Sequence, residues 1–253
     1  YFGMPHILLR FMAIEDEKKL KLSRRVATIW VVISLFVAVF IGVIGYTMSK
    51  VGALEMLTGS NSETIIVKIS ALLSQHGVIF ALLAGVILAG ILASTMSTSD
   101  SQLLAASSAV SSDILGAFRK DSSNKNGSMA AARITLLVIS VVAAFIARNP
   151  DSSVFAIVSF AWAGFGAAFG PVVLFSLFWK RTNKWGALAG MVCGGSMVFI
   201  WKYLIRPLGG IWNIYELLPA FLIACAAIVI VSLLTPKPSK EIEEEFDRVA
   251  QMK

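Results

Sequence analysis

The sequence predicts an all-α membrane protein, in which half of a broken transmembrane helix is followed by six transmembrane helices. Three observations carry this reading. Of the 253 residues, 57% are hydrophobic and 15% are charged, where a soluble domain carries about 25% charged residues. Six segments reach the ~20 mostly apolar residues that a spanning helix needs: Val26–Met48, a long one beginning near Val78, Ala130–Ala147, Val154–Trp179, Gly186–Tyr203 and Leu217–Leu234. Lysine and arginine then alternate through the seven connecting regions, from the first loop to the tail, as 5, 2, 4, 1, 3, 2 and 4. Odd-numbered regions hold 16 and even-numbered regions 5, as the positive-inside rule requires for six spans with both flanks in the cytoplasm. A missed or extra span would scramble that order. The net charge of +7 follows from basic loops on one side of a membrane and does not argue for nucleic acid.

Residues 1–14, YFGMPHILLRFMAI, are too short to span. Gly3 and Pro5 open the segment, and proline fits a first helical turn while glycine fits irregular backbone before it. The segment reads as the inner half of a broken transmembrane helix, with an interfacial helix as the alternative. The chain begins at Tyr1 and looks cut in mid-element, so a missing N-terminal half of the same protein is expected. Lys18, Lys19, Lys21, Arg24 and Arg25 form the first cytoplasmic loop. Within the long loop Ser49–Gln75, Thr64–Ser74 (TIIVKISALLS) is apolar enough for a short helix on the outer face. Residues 1–235 read as one partial membrane domain. Residues 236–253 read as a cytoplasmic tail, where Ile242, Phe246 and Val249 share one face of a short helix over Lys240–Met252.

Polar residues inside apolar segments mark the candidate site. The run Ala93–Gln102, ASTMSTSDSQ, follows an almost wholly apolar stretch. On a helix, Ser94, Ser97, Thr98, Ser101, Ala105, Ser108 and Ser112 fall on one face. Such a face can serve close packing and hydrogen bonding between helices. It can equally serve a hard cation, which takes oxygen ligands: the Ser94 carbonyl with the Ser97 and Thr98 hydroxyls gives three, and another helix must complete the shell. Asp100 is a carboxylate far from any loop, a functional hypothesis by default. Its depth stays open, because 22 residues beyond Val78 is ~33 Å of helix rise.

Phe160–Pro171, FAWAGFGAAFGP, lacks both the glycine spacing and the preceding strand of a dinucleotide loop. Its glycines and proline mark close packing or a kink. Gly186, Gly190 and Gly194 repeat every four residues, a packing face. Cys193 and Cys225 lie in apolar segments and read as small core residues. His6 and His76 belong to no cluster with the spacing of a zinc or iron site.

Three stretches, YFGMPHILLRFMA, AGILASTMSTSDSQLLAASSAVSSDIL and SFAWAGFGAAFGPVVLFSLFWKR followed by GALAGM, resemble the second half of the sodium/solute symporter family, nearest to its proline-transporting members. The resemblance covers nearly the whole chain in order. It implies a LeuT-type architecture of two inverted five-helix repeats around a midplane site, of which this chain would carry the second repeat plus two extra helices. It implies that Ser94, Ser97 and Thr98 are sodium ligands on the eighth core helix, completed by the first, and that Tyr1 and Pro5 contact the solute. Asp100 and Ser101 stand as candidate secondary cation or polar positions. Where the family usually has Gln before that proline, this chain has Met4.

The implied function is sodium-coupled secondary active uptake of a small amino acid, proline first, at the cell membrane, with a cytoplasmic C-terminus. It involves no enzyme activity, no organic cofactor and no metal beyond the coupling sodium ion. The implied partners are the solute, sodium, the lipid bilayer and the missing N-terminal half, without which the chain should not transport. Two alternatives within reach are a sodium symporter for another solute (pantothenate, a monocarboxylate, a sugar) and a transporter-like sensor module. A purely structural bundle would show no sodium dependence of stability.

Overall fold

The computed structural model describes residues 2–114, 125–148 and 153–251. Among these, all regular structure is helical: α1 (Pro5–Met12), α2 (Leu20–Lys50), α3 (Ile65–Leu73), α4 (Val78–Ser108), α5 (Lys125–Ile146), α6 (Val154–Phe178), α7 (Lys184–Ile200), α8 (Leu217–Leu234) and α9 (Lys240–Gln251), with short 3-10 and π turns between them. Six helical stretches are long and apolar enough to cross a membrane: Leu20–Lys50, Val78–Ser111, Met129–Ile146, Val154–Phe178, Lys184–Leu208 and Leu217–Leu234. They coincide with the six segments that hydropathy marks. The ends differ where polar residues extend a helix past its apolar run. Thus α2 starts six residues before Val26 and takes in Lys21, Arg24 and Arg25, good helix formers with long stems that carry their charge away from the chain. The proposed outer-face helix is α3, and the tail helix is α9.

The chain divides into two compact units, Ile14–Phe155 and Tyr1–Ala13 with Ala156–Lys253. In the first, α3 lies against α2, where Gly45 is buried beneath the Ile65 side chain. The Ser107 hydroxyl of α4 donates to the Ala132 carbonyl of α5 at 2.9 Å, a polar tie in an apolar contact. In the turn Gly59–Thr64, the Glu63 carboxylate accepts hydrogen bonds from the Ser153 hydroxyl, from Val154 N at 3.0 Å and from Phe155 N at 3.3 Å. It thereby caps the first N–H groups of α6, which have no partner inside the helix. The Ser153 hydroxyl above all holds the Glu63 carboxyl below its ordinary range; it outweighs desolvation, which raises it, and the Phe155 and Val154 N–H groups add smaller lowering effects.

In the second unit, Ala163 and Ala167 of α6, Val198 of α7 and Ala220 of α8 are fully buried and form the core. The side chains are small because the helices approach closely. Gly186, Gly190 and Gly194 of α7 are buried against Ser232, Ile228 and Ala224 of α8, so the four-residue repeat is a packing face, as expected. Pro171 sits inside α6 and cannot donate to the carbonyl four residues earlier, that of Ala167. A β-carbon on Gly194 would collide with this oxygen, so α7 reaches the freed carbonyl only because residue 194 has no side chain. The buried Ser232 hydroxyl, which has no hydrogen-bond partner among the described residues, lies where a β-carbon on Gly186 would collide with it. Cys193 and Cys225 are free and half-buried.

Polar groups secure both ends of this bundle. At the α6–α7 turn, Asn183 caps α7 by accepting from Gly186 N at 2.8 Å, and its amide donates to Thr235 Oγ1 at 2.7 Å and to the Pro236 carbonyl at 2.8 Å. Arg181 Nη2 donates to the Thr235 carbonyl at 2.8 Å. At the other end, Glu216 is buried and accepts from Arg206 Nη1 at 3.0 Å, Trp201 Nε1 donates to the Ile214 carbonyl at 3.2 Å, and Tyr215 Oη donates to the Ser159 carbonyl at 2.6 Å.

Two measurements test this packing. Gly194→Ala places a methyl on the Ala167 carbonyl, and should lower unfolding stability in detergent by about 1–3 kcal/mol. Gly195→Ala, whose β-carbon meets only Ala168 Cβ at 3.9 Å, should leave it unchanged. For Glu63, the folded-state pKa is depressed, so its contribution is complete above the unfolded value of about 4.3 and disappears as pH falls through the lower folded value. Glu63→Gln should therefore melt below the wild type at pH 7, and thermal melts repeated in steps below pH 4 should show the gap closing.

Candidate functional site

The hydroxyl-rich run lies within α4, which continues without a break from Val78 to Ser108 and then through a π turn, Ala109–Ile114. Serine and threonine are ordinarily weak in helix interiors because their hydroxyls compete for backbone groups. Here that competition is resolved along the helix. Thr95 Oγ1 donates to the Ile91 carbonyl at 2.9 Å, Thr98 Oγ1 to the Ser94 carbonyl at 3.1 Å, and Ser101 Oγ to the Ser97 carbonyl at 2.8 Å. Each hydroxyl bonds four residues back, so the polar run prolongs the helix instead of ending it.

These bonds bring the sequence-marked residues together in pairs. The Ser94 carbonyl and the Thr98 hydroxyl stand side by side, as do the Ser97 carbonyl and the Ser101 hydroxyl. Ser94, Ser97 and Thr98 are exposed, and Ser101 is half-exposed. The face therefore presents oxygen atoms outward at Ser94, Ser97 and Thr98. Asp100 is also exposed and falls about 120° around the helix from Ser94 at 3.6 residues per turn, so it flanks this face instead of joining it. α4 runs eight residues past Asp100 before its π turn. At 1.5 Å per residue, its 31 residues span about 46 Å, well beyond a ~30 Å hydrocarbon layer. Among the described residues there is no group of three or more His, Cys, Asp or Glu side chains able to hold a metal ion.

The second candidate cluster is the start of α1. Tyr1 lies outside the described residues. Pro5 is the first residue of α1 and half-buried, and the Met4 carbonyl accepts from Ile7 N and Leu8 N at 3.0 Å each. Gly3 and Met4 are buried although they precede the helix. Thus α1 starts abruptly from buried, non-helical backbone, and that backbone lies against α6 near Phe165 and Gly170. Sequence reasoning did not find this contact, nor the Glu63 cap, because their partners are more than 80 residues apart. A cavity of about 170 Å³ between α2 and α3, lined by Gly45, Tyr46, Met56 and Ile65 among others, contains none of the candidate residues.

Comparison with known proteins follows this geometry. The family model described as "Sodium:solute symporter family" matches residues 1–194. The sodium/proline symporter of Salmonella typhimurium is 40% identical over 247 residues, covering 97% of this chain and 47% of the relative. That of Haemophilus influenzae is 40% identical over 250 residues, covering 98% and 48%. The osmoregulated proline transporter OpuE of Bacillus subtilis is 38% identical over 240 residues, covering 95% and 47%. The chain spans about half the length of the curated relatives it matches. No solved structure matches it.

Proposed function

The chain belongs to the sodium:solute symporter family, and from that premise we propose that the full-length protein takes up proline by sodium-coupled symport. The observation that carries the coupling half of this reading is the oxygen pair on α4, with the Thr98 hydroxyl 3.1 Å from the Ser94 carbonyl and the Ser97 hydroxyl on the same face. The names of the relatives, sodium/proline symporter and proline transporter, support the solute half.

Under this reading Ser94, through its carbonyl, and Ser97 and Thr98, through their hydroxyls, supply one half of a sodium site. A hard cation takes about six or more oxygens, so the remaining ligands come from the first core helix, in the half of the protein that precedes Tyr1. Asp100 and Ser101 are secondary polar positions beside that site. Tyr1 and Pro5 contact the solute at the broken helix, in a LeuT-type inverted-repeat arrangement whose second repeat is α1 through α6, with α7 and α8 as the two additional helices. Residues 1–235 form part of the membrane domain, and 236–253 a tail on the cytoplasmic side, as the alternation of Lys and Arg supports. Sodium bridging α4 to the first core helix favours the outward-open state, and solute then closes the outer side. Coupling requires that each ligand bind the two states with different affinity.

The test uses the full-length protein. Thr98→Ala and Ser97→Ala should each raise the sodium concentration for half-maximal proline uptake about tenfold or more, the loss of roughly 1.4 kcal/mol of binding. Thr95→Ala, whose hydroxyl lies off this face, should not. Sodium should also raise the melting temperature of the wild type by mass action, and less so in the two variants. An unchanged sodium requirement in both Thr98→Ala and Ser97→Ala would sink the assignment, and uptake of another solute in place of proline would correct the substrate.

A further inference from the structure

We propose that Gly3 is a positioning residue for the solute: its missing side chain lets the backbone at the start of α1 rest directly on α6, and that seat fixes where Pro5 stands. The proposal rests on the reading of Pro5 and Tyr1 as solute contacts. A β-carbon built on Gly3 would lie 2.7 Å from Gly170 N, 3.0 Å from Gly170 Cα and 3.2 Å from Phe165 O. All three are backbone atoms of a continuous helix, so none can turn aside as the tip of a side chain can. Gly3 is not among the glycines with positive φ, so torsional freedom is not what the position requires. It requires only the absence of a β-carbon.

The constraint is one-sided. A β-carbon on Gly170 would meet Phe221 Cε2 at 3.1 Å and Phe2 Cε2 at 3.5 Å, the ends of rings that can rotate away. The strict demand therefore falls on Gly3. Displacement there passes directly to Pro5, two residues on, because the intervening Met4 is buried and its carbonyl is held by Ile7 N and Leu8 N at 3.0 Å each. The first turn of α1 and the backbone before it thus move together. A shift on the order of 1 Å is enough to spoil a binding geometry.

The experiment measures uptake kinetics of the full-length protein in membranes. Gly3→Ala should raise the KM for proline about tenfold or more at saturating sodium, with the half-saturating sodium concentration within about twofold of the wild type. Gly164→Ala, on α6 with open space around its β-carbon, should change neither. A merely structural role for Gly3 predicts lower maximal uptake, in proportion to the protein present, at unchanged KM; that result overturns the proposal, as does a parallel loss of sodium and proline affinity. Should Gly3→Ala fail to reach the membrane, Gly170→Leu adds more bulk than the Phe2 and Phe221 rings can clear by rotating and displaces the same backbone while keeping Gly3: a raised KM for proline with an unchanged sodium requirement supports the proposal, and an unchanged KM overturns it. Failure of the underlying reading looks different, since the wild type itself would then take up no proline, and the same KM ratio is read with the solute it does carry.

Discussion

A peptide group in hydrocarbon has no water to bond, so each N–H and C=O within a membrane span must find its partner inside the protein. Most of what is unusual in this chain follows from meeting that demand where a plain helix cannot. Pro171 removes a donor from the middle of α6, and the Ala167 carbonyl so released faces Gly194 of α7. Only a glycine lets the neighbouring helix come that near, since a β-carbon at position 194 would collide with the oxygen. One proline on α6 thus sets the residue required on α7, and the four-residue glycine repeat carries the close approach on to α8. Glu63 answers a different need: outside the spans, it supplies acceptors to N–H groups at the start of α6 that have no intrahelical partner.

The hydroxyl run on α4 meets the demand in another way. A serine or threonine that bonds the carbonyl four residues back keeps the helix intact and hides its own polarity from lipid. It also holds two oxygens next to each other at little cost in side-chain freedom, because the rotamer is already fixed by that bond. The device is repeated at Thr95, Thr98 and Ser101 within two turns. Leucine would serve the lipid face better. The run is intelligible if the oxygens have a second use, and the exposed Ser94–Thr98 face has the geometry for it: a preformed partial shell that lacks the ligands another helix would bring.

The sequence makes one class of feature legible and leaves another hidden. Hydropathy depends on local composition, so the six spans could be read directly, and for α8 the two limits agree to the residue. Helix ends are set by polar residues whose competing bonds are not visible in composition, which is why α2 extends into the basic loop. The glycine repeat of α7 announced a packing face, but not that Ser232, Ile228 and Ala224 would fill it. On α4 the spacing showed which hydroxyls share a face, but the bond that Thr95, Thr98 and Ser101 each make to the carbonyl four residues back came from the structure. Glu63 gave no sign of its role, since a carboxylate in a loop becomes a cap only once a helix start 90 residues away is brought to it. Asn183 was the more readable cap, three residues before the Gly186 N–H it accepts from.

Of the places where local rules are broken, two are those to which the proposed function points: the start of α1 and the middle of α4. Over the apolar stretches of α2, α5 and α8, composition and propensity agree with a membrane-spanning helix. At the start of α1, non-helical backbone is buried, proline follows directly, and a glycine sits where backbone touches backbone. In the middle of α4, six hydroxyls and a carboxylate interrupt a span that apolar residues would stabilise better. A fold specified for stability alone has no reason to retain either. One offers buried, non-helical backbone and the other oxygen atoms aligned on one helix face, and the proposed binding role would use both. That coincidence of local misfit with usable chemistry is a stronger argument for a binding role than either feature taken singly.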